Sequence, residues 1–305
     1  MLNIGLLLVL VFIGGISVAH AQEKYPNGIT VVPSITHVDF ATDASEYLLT
    51  YYNNTNVNIN LTLSVKDFTE LEESYKISFL EGKDASNYKY SLSSWISFEN
   101  KNIELSPKES KSVKVFINKS RVTKGGHYAS ILAEIVQPDT NKQVDVKAVL
   151  SSLLFVRAST GKEIENGKIN SFRPNRDGLE FPDAFSVRFE NNGNVHVSPH
   201  GLIEIYDPFG KLVGKGIINE ASSDSLPESI RRFDTPIQRF SKILVPGIYS
   251  AKVQLRYGKS DKKISSSTKF FSQGSVDFVK ISLILVAILG GSLYYKKRRS
   301  KSSAK

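Results

Sequence analysis

Apolar and polar residues alternate without a break along Tyr249-Ser250-Ala251-Lys252-Val253-Gln254-Leu255-Arg256-Tyr257. Successive side chains of a β-strand point to opposite faces, so this period of two predicts a long strand with one buried and one solvated face. The turn-forming pair Pro246-Gly247 comes directly before the stretch. We therefore predict an antiparallel sheet that is covered on one face only.

The same alternation recurs in shorter segments earlier in the chain: Ile59–Val65, Val113–Ile117 and Phe185–Phe189. The segment Val144–Val156 is more continuously apolar, which predicts a strand covered on both faces. Residues 22–275 show no helical period, and Gly, Pro and Asn separate the apolar runs. Many short strands with turns between them predict an all-β protein built from β-sandwiches.

Three sequence patterns occur twice in the same order and indicate an internal repeat. They are Asn53-Asn54-Thr55-Asn56-Val57 with Asn191-Asn192-Gly193-Asn194-Val195, Leu105-Ser106-Pro107-Lys108-Glu109-Ser110 with Leu226-Pro227-Glu228-Ser229, and Gly126-His127-Tyr128 with Gly247-Ile248-Tyr249. We therefore predict two tandem immunoglobulin-like β-sandwiches, residues 26–158 and 159–274. The first copy is longer near Lys66–Ser97, where we expect an insertion or a long loop. The tyrosine of the third pattern is typical of a tyrosine corner, in which the hydroxyl bonds back to the chain.

Both ends of the chain are apolar. Leu2–Val18 is followed by Ala19-His20-Ala21, which fits a signal-peptidase site and predicts a signal peptide, residues 1–21; an uncleaved N-terminal anchor is the alternative. Residues 276–295 predict one C-terminal transmembrane helix, and a basic tail follows it, residues 296–305. The positive-inside rule places the tail in the cytoplasm and the ectodomain outside, which predicts a single-pass protein of the cell membrane.

Composition narrows the class of function. The chain has 39 basic and 30 acidic residues, and six of the basic ones lie in the last ten positions, so the remainder is too close to neutral for nucleic-acid binding. The chain has no cysteine, which excludes thiol nucleophiles, zinc–thiolate sites and iron–sulfur clusters. An ectodomain without disulfides indicates a bacterial or archaeal surface protein.

Candidate catalytic and metal-ligating residues are few. His196 and His200 are four apart, a spacing that suits a metal site on a helix, but Pro199 and the strand-like surroundings favour a structural role. His127 has no nucleophile and carboxylate partner that the sequence can identify. The common catalytic and nucleotide-binding motifs are absent from the sequence. We therefore predict a protein that is not an enzyme, assign no catalytic, cofactor or metal residues, and leave the binding residues unassigned.

Two further features have both a structural and a binding interpretation. Trp95, the single tryptophan, is typical of a sandwich core, and the alternative is a platform on which a sugar stacks. An acidic cluster is formed by Asp67, Glu70, Glu72 and Glu73. A solvated loop is favoured there over a calcium site, because the D-x-D-x-D-G spacing is absent.

Several motifs resemble the first domain of WxL-interacting proteins, which are bacterial cell-surface proteins. They are Trp95-Ile96-Ser97-Phe98, Ile103-Glu104-Leu105-Ser106-Pro107-Lys108-Glu109-Ser110 and Gly125-Gly126-His127-Tyr128-Ala129. The second half resembles a companion domain through Gly193-Asn194-Val195-His196-Val197-Ser198-Pro199-His200-Gly201, Asp207-Pro208-Phe209-Gly210-Lys211 and Arg231-Arg232-Phe233. The resemblance implies immunoglobulin-like domains, a signal peptide and a C-terminal anchor. It also implies that the first domain binds peptidoglycan and the second a WxL-domain protein.

These observations predict a membrane-anchored surface protein whose sandwiches bind cell-wall polymer or another exported surface protein, through a sheet edge that accepts a partner strand. A structural stalk or spacer without a ligand is the first alternative. A surface hydrolase that uses His127 or His196 is the second. No cofactor and no nucleic-acid partner are predicted.

Overall fold

The computed structural model describes residues 28–74, 76–121, 123–136, 148–241, 244–275, 284 and 286–292. These residues form an all-β protein of two β-sandwich domains, with a short helix, α1 (Gly82–Asn87), and two 3₁₀ turns within the first sandwich. The strands are β1 (Ile29–Val32), β2 (Ile35–Asp39), β3 (Glu46–Asn53), β4 (Ile59–Leu71), β5 (Lys76–Phe79), β6 (Ile96–Phe98), β7 (Asn102–Leu105), β8 (Ser110–Ile117), β9 (Gly126–Val136), β10 (Val149–Arg157), β11 (Gly167–Asn175), β12 (Ala184–Asn191), β13 (His200–Tyr206), β14 (Leu212–Ile218), β15 (Ser229–Pro236), β16 (Gln238–Arg239), β17 (Gly247–Tyr257) and β18 (Lys262–Ser272).

The first sandwich packs a four-stranded sheet against a six-stranded sheet. The four-stranded sheet has the order β1-β3-β8-β6, and the other has the order β2-β10-β9-β4-β5, with β7 also paired to β4. β2 runs parallel to β10, whereas the other pairs of this sandwich are antiparallel. The chain crosses from one sheet to the other between β1 and β2, at the cis peptide bond Val32–Pro33.

Alternating strands fill the space between these two sheets. Leu49 and Tyr51 of β3 pack in one cluster with Leu61 and Leu63 of β4, and all four are at most 2% exposed. Asn60, which lies between apolar residues of β4, is exposed. Each fully buried aliphatic side chain contributes about 1.5–3 kcal/mol. The predicted alternation is therefore confirmed, and its apolar face forms the core.

The second sandwich packs the sheet β11-β12-β15 against the sheet β16-β14-β13-β17-β18. β17 contains the whole alternating stretch that predicted a half-buried strand. Tyr249, Ala251 and Val253 are fully buried, whereas Lys252 and Gln254 are exposed. The strand thus has the one buried and one solvated face that the sequence predicts.

The asparagines of the repeated pattern have the same structural role. Asn53 and Asn191 are at most 1% exposed. The side-chain amide of each donates to the carbonyl four residues on, at 2.8 Å in both cases. Asn53 also donates to the carbonyl of Ser106 in the second repeated pattern at 2.9 Å, and Asn191 donates to the carbonyl of Ser225, directly before that pattern, at 3.0 Å. Buried carbonyls need such partners, so both asparagines stabilise the fold.

The repeated tyrosines differ in what their hydroxyls contact. The Tyr249 hydroxyl donates to the carbonyl of Val245 at 2.6 Å, as in the predicted tyrosine corner. The Tyr128 hydroxyl instead accepts a hydrogen bond from the backbone N–H of His196 at 2.7 Å. The first copy of the motif therefore bonds to the second sandwich rather than back to its own sandwich.

The segment Lys66–Ser97, predicted as an insertion or a long loop, carries regular structure. β4 continues to Leu71 and forms an antiparallel hairpin with β5, and α1 and a 3₁₀ turn follow. This β4–β5 hairpin extends beyond the sheet toward the second sandwich.

The transmembrane helix predicted for residues 276–295 is not found among the described residues. In the part of the chain that the structure describes, no helix is long and apolar enough to cross a membrane. Of residues 276–295, only Ile284 and residues 286–292 are described, and they are helical. The predicted signal peptide, residues 1–21, and the basic tail, residues 296–305, lie outside the described residues.

Candidate functional site at the domain junction and the β10 edge

The contact region between the two sandwiches, here called the junction, contains a buried ion pair. Glu70 of β4 accepts hydrogen bonds from Arg231 Nη2 at 2.7 Å, from the backbone N–H of Leu226 at 2.8 Å and from the Ser229 hydroxyl at 3.1 Å. The Glu70 and Arg231 side chains are only 4% and 8% exposed. Burial raises the pKa of Glu70, while the Arg231 charge and the hydrogen bonds oppose that rise. The β4–β5 hairpin is thus linked to the second sandwich through buried polar groups.

Two further ion pairs surround this link. The Arg188 guanidinium donates to both carboxylate oxygens of Glu73, with Nε at 2.7 Å from Oε2. This hydrogen bonding lowers the pKa of Glu73. Glu228 of the second sandwich accepts hydrogen bonds from Lys89 Nζ at 2.6 Å and from the Tyr90 hydroxyl at 2.9 Å. Both pairs are partly exposed, so each contributes little to the stability of the junction. Their main effect is to orient the two sandwiches relative to each other.

An apolar cluster completes this side of the junction. Leu226 of the second sandwich is 3% exposed and packs among Phe68, Tyr90, Tyr128 and Phe155 of the first. The rings of Phe68 and Phe155 meet edge to face, with centroids 5.7 Å apart. Edge-to-face contact is a favourable arrangement of aromatic rings. The two sandwiches therefore share a small hydrophobic core.

A second set of contacts between the sandwiches lies on the opposite side of the junction, next to the end of β10. Arg157 pairs with Glu165 at 2.9 Å, and the two side chains are 14% and 5% exposed. Glu165 also accepts a hydrogen bond from the backbone N–H of Lys259 at 2.9 Å. The Lys259 ammonium forms an ion pair with Asp39 of β2. Contacts on both sides thus hold the sandwiches together.

A cleft of about 440 Å³ lies between the sandwiches, and His37 and His196 line it. His37 Nε2 is 2.6 Å from Asp224 Oδ2, and the His37 and His196 ring centroids are 5.6 Å apart. The Tyr128 hydroxyl lies 3.3 Å from His196 Nδ1. Phe155 stacks on His37 with centroids 5.0 Å apart. The cleft therefore brings together two imidazoles and a carboxylate that are far apart in the sequence.

His196 makes the stability of the protein depend on pH. Burial lowers the pKa of His196 to about 4 from its usual 6.5; Asp224 and Glu165 oppose this, while His37 and Arg157 add to it. The folded protein thus keeps His196 neutral where the unfolded chain binds a proton. The stability from this difference is fully present above pH 6.5, and about 3 kcal/mol is lost as the pH falls to about 4.

Urea unfolding measured between pH 6.5 and pH 4 tests this effect of His196. The free energy of unfolding should fall more steeply with falling pH for the wild type than for His196→Gln. An equal fall of the free energy of unfolding in the two proteins would contradict the lowered pKa of His196.

One side of β10 is partly uncovered, and this stretch is here called the open edge. β9 pairs with all of β10, but β2 covers the other side only from Leu153 to Arg157. The N–H of Leu153 donates to the carbonyl of Ser34 at 2.9 Å. Alternate residues of a strand direct their backbone groups to the same side. The N–H and C=O of Val149 and Ser151 therefore point away from β9, where no strand of the described ranges pairs with them.

Apolar side chains flank the open edge. Val149 is 48% exposed, and Val32 and Ile35, at the crossover from β1 to β2, are 52% and 50% exposed. The Ser152 hydroxyl donates to the carbonyl of Pro33 at 2.8 Å, which places the crossover beside the open half of β10. An uncovered edge with exposed apolar neighbours is a template for pairing with another chain.

The strand predicted over Val144–Val156 is covered only in part. Residues 144–147 lie outside the described residues. Leu154, Phe155 and Val156 are buried, but Val149 at the start of the strand is exposed. The two ends of the apolar run therefore have different surroundings. Its last residues lie in the core, whereas its beginning lies at the open edge.

Trp95 and His127 belong to the interior of the first sandwich. Trp95 is 8% exposed, and its ring centroid is 4.3 Å from that of His127. His127 Nδ1 lies 3.0 Å from the Ser91 carbonyl, and Nε2 lies 3.0 Å from the Thr123 hydroxyl. Burial lowers the pKa of His127. The core interpretation of Trp95 is confirmed, and the sugar platform is wrong.

The acidic cluster does not form one site. Asp67 is 3% exposed and accepts hydrogen bonds from the backbone N–H and the hydroxyl of Ser93, each at 2.8 Å. Glu70 and Glu73 take part in the junction, while Glu72 is exposed. The prediction of a solvated loop is therefore wrong for most of the cluster, because the β4–β5 hairpin buries it against other groups.

The structure separates the histidine pair that the sequence singled out. His200 lies 3.1 Å from the Ser222 hydroxyl through Nε2 and is exposed, whereas His196 faces His37 and Asp224. The sequence does not point to His37 and Asp224, since each is an isolated residue in its segment and no motif marks either one. Only their placement across the cleft reveals the group.

Comparison with known proteins gives similarity of fold. No protein-family model and no curated protein matches the chain. The class 5 fimbriae chaperone CfaA is 14% identical, with a TM-score of 0.43 over 80% of this chain and 99% of that chain. The E. coli chaperone DraB is 11% identical, with a TM-score of 0.38, 80% of this chain and 95% of that chain being covered. The structure of the Salmonella enterica SafA pilin in complex with the SafB chaperone gives the same values. At these levels the likeness concerns the fold alone.

The resemblance to WxL-interacting proteins is wrong. No family model matches the chain, and the solved structures named above are described as chaperones rather than as WxL-interacting proteins. The peptidoglycan and WxL-domain partners rested on that resemblance and are wrong with it. The motifs that suggested it are turns and strand starts, such as Gly126-His127-Tyr128, whose roles here are structural.

The predicted membrane-anchored wall binder on the cell membrane is wrong as well. In the described ranges no helix is long and apolar enough to cross a membrane. The comparisons with solved structures give no support to the stalk alternative.

Proposed function

We propose that this chain is a non-enzymatic binding protein that receives an extended segment of a partner polypeptide along the open edge of β10. The observation that carries the proposal is the outward direction of the backbone groups of Val149 and Ser151, which follows from the Leu153 hydrogen bond to β2. An added strand pairs with such groups through main-chain hydrogen bonds. The exposed Val32 and Ile35 favour a partner segment with apolar residues at alternate positions.

The junction supports this role by holding the two sandwiches as one unit. β10 ends at Arg157, which enters the junction through its pair with Glu165. A partner segment lying along β10 therefore approaches the cleft at one end. Because Glu70 and Leu226 hold the other side of the junction, the surface that the segment meets keeps its shape.

The finer features of the fold belong to the same proposal. Each sandwich is immunoglobulin-like, with the predicted boundaries 26–158 and 159–274. The matching hydrogen bonds of Asn53 and Asn191 and the tyrosine corner at Tyr249 support two copies of one domain type.

Proline at position 151 tests strand addition. Ser151→Pro removes the outward N–H and places the proline ring on the uncovered side, while the groups of β10 that pair with β9 remain. We expect about a tenfold loss of affinity for short peptides that alternate apolar and polar residues, since a lost hydrogen bond and a clash together cost more than 1 kcal/mol. Fluorescence polarisation with labelled peptides and the full chain measures it.

The matched control is Ser151→Ala. It removes the hydroxyl that lies 2.7 Å from the Ser130 hydroxyl but keeps the backbone N–H, so it should bind as the wild type does. Ser151→Pro should keep the wild-type circular dichroism spectrum, which shows that the sheet is intact. Equal affinity of the two variants, or equal binding of peptides with scrambled order, would rule out strand addition at this edge.

A further inference from the structure

The group formed by His37, His196 and Asp224 lies outside the open edge and is not used by the proposed function. One ligand atom from each residue lies within 4.8 Å of the others. His37 comes from β2 of the first sandwich, and the other two come from loops of the second. The group therefore spans the junction and borders the cleft.

The chemistry of the three side chains suits a transition-metal ion. Zn²⁺ binds imidazole nitrogens at about 2.0–2.1 Å and carboxylate oxygens at about 2.0–2.2 Å, and sites with three protein ligands keep a fourth position for water. Two ligands of a tetrahedral ion are then about 3.4 Å apart. The His37–Asp224 pair, now at 2.6 Å, has to open slightly, and the His196 ligand atom, which lies within 4.8 Å of the other two, has to move closer to them. Calcium and magnesium prefer all-oxygen sites, so the two imidazoles disfavour them.

The surroundings hold the ligands near the required positions. The Tyr128 hydroxyl lies 3.3 Å from His196 Nδ1, which leaves Nε2 of that ring for an ion. A partner on the second nitrogen is what orients metal-binding histidines in proteins. Phe155 stacks on His37, whose side chain is half exposed and has room to turn, while the Asp224 side chain is 10% exposed. Two of the three ligands are thus preorganised and the third is adjustable.

We propose that His37, His196 and Asp224 bind one divalent transition-metal ion, such as Zn²⁺, in the cleft between the two sandwiches. The ion links a strand of the first sandwich to two loops of the second. Metal binding therefore stabilises the native arrangement of the domains, because an ion that binds only the folded state shifts the unfolding equilibrium.

Titration of the full chain with ZnCl₂ in a calorimeter tests the proposal. We expect one Zn²⁺ per chain and a higher unfolding midpoint when the metal is present. His37→Ala and Asp224→Asn should each weaken the affinity at least about tenfold, since loss of a ligand exceeds the effect of losing a supporting contact. Co²⁺ in place of Zn²⁺ should give the visible absorption of a tetrahedral site in the wild type and not in these variants.

His200→Ala is the control, because His200 is exposed and lines the same cleft but does not belong to the group. It should bind Zn²⁺ as the wild type does. Absence of binding to the wild type would overturn the proposal. So would unchanged affinity in His37→Ala and Asp224→Asn, or a loss in His200→Ala as large as theirs, which would place the ion on surface histidines.

Discussion

Glu70→Ala is expected to lower the free energy of unfolding by about 3–5 kcal/mol, because it leaves the Arg231 charge buried without its carboxylate. It also leaves the backbone N–H of Leu226 and the Ser229 hydroxyl without their acceptor. The loss should appear in urea unfolding of the full chain at neutral pH. Limited proteolysis should then cleave near the junction at a urea concentration at which the wild type resists.

Removing both charges distinguishes two free energies. One is the destabilisation caused by an unpaired buried charge, and the other is the net contribution of the ion pair to stability. The double variant Glu70→Leu with Arg231→Met should recover part of the stability, since buried ion pairs are often replaceable by apolar groups of similar size, while the Leu226 N–H and the Ser229 hydroxyl still lack their acceptor. The control is Glu81→Ala, which breaks the exposed pair with Lys66 and should leave the unfolding curve unchanged. A Glu70→Ala curve that overlays the Glu81→Ala curve would show that the junction does not depend on this link.

Leu226→Ala is expected to cost about 2–5 kcal/mol, the range for a buried leucine whose removal leaves a cavity. Leu226 is 3% exposed and is the residue of the second sandwich that enters the aromatic cluster of the first. The cavity lies between the domains, so the variant should lose cooperativity between them. Differential scanning calorimetry should then resolve two transitions where the wild type shows one.

Leu202→Ala provides the matched control, because Leu202 is a leucine of the same sandwich with 44% exposure. Its effect should stay within about 0.5 kcal/mol, as for most surface substitutions. If Leu226→Ala and Leu202→Ala have equal midpoints, or if Leu226→Ala still unfolds in one transition, the shared core does not couple the sandwiches.

The sequence predicts the strands well because their periodicity is local. β17 buries Tyr249 and Val253 and exposes Lys252, as the alternation requires. The repeated asparagines are also recognisable, since Asn53 and Asn191 each cap a turn through a carbonyl only four residues away. Features that depend on neighbours in the chain can therefore be deduced from the chain alone.

The junction could not be deduced in this way, because its contacts join distant residues. Glu70 and Arg231 are 161 positions apart, and His37 and Asp224 are 187 apart. The acidic residues of the β4–β5 hairpin have the composition of a solvated loop, and only the packing of Arg188 against Glu73 shows otherwise. The open edge is hidden for a related reason, since the apolar run of β10 does not reveal how far its neighbouring strand extends.

Amide hydrogen exchange of the full chain, resolved by residue, tests the open edge most directly. In the free protein the amides of Val149 and Ser151 should exchange much faster than those of Leu150 and Ser152, which face β9. Addition of a binding peptide with alternating apolar residues should slow Val149 and Ser151 and leave the other two unchanged. Slow exchange of Val149 and Ser151 in the free protein would show that this edge is already covered and would contradict the proposed function.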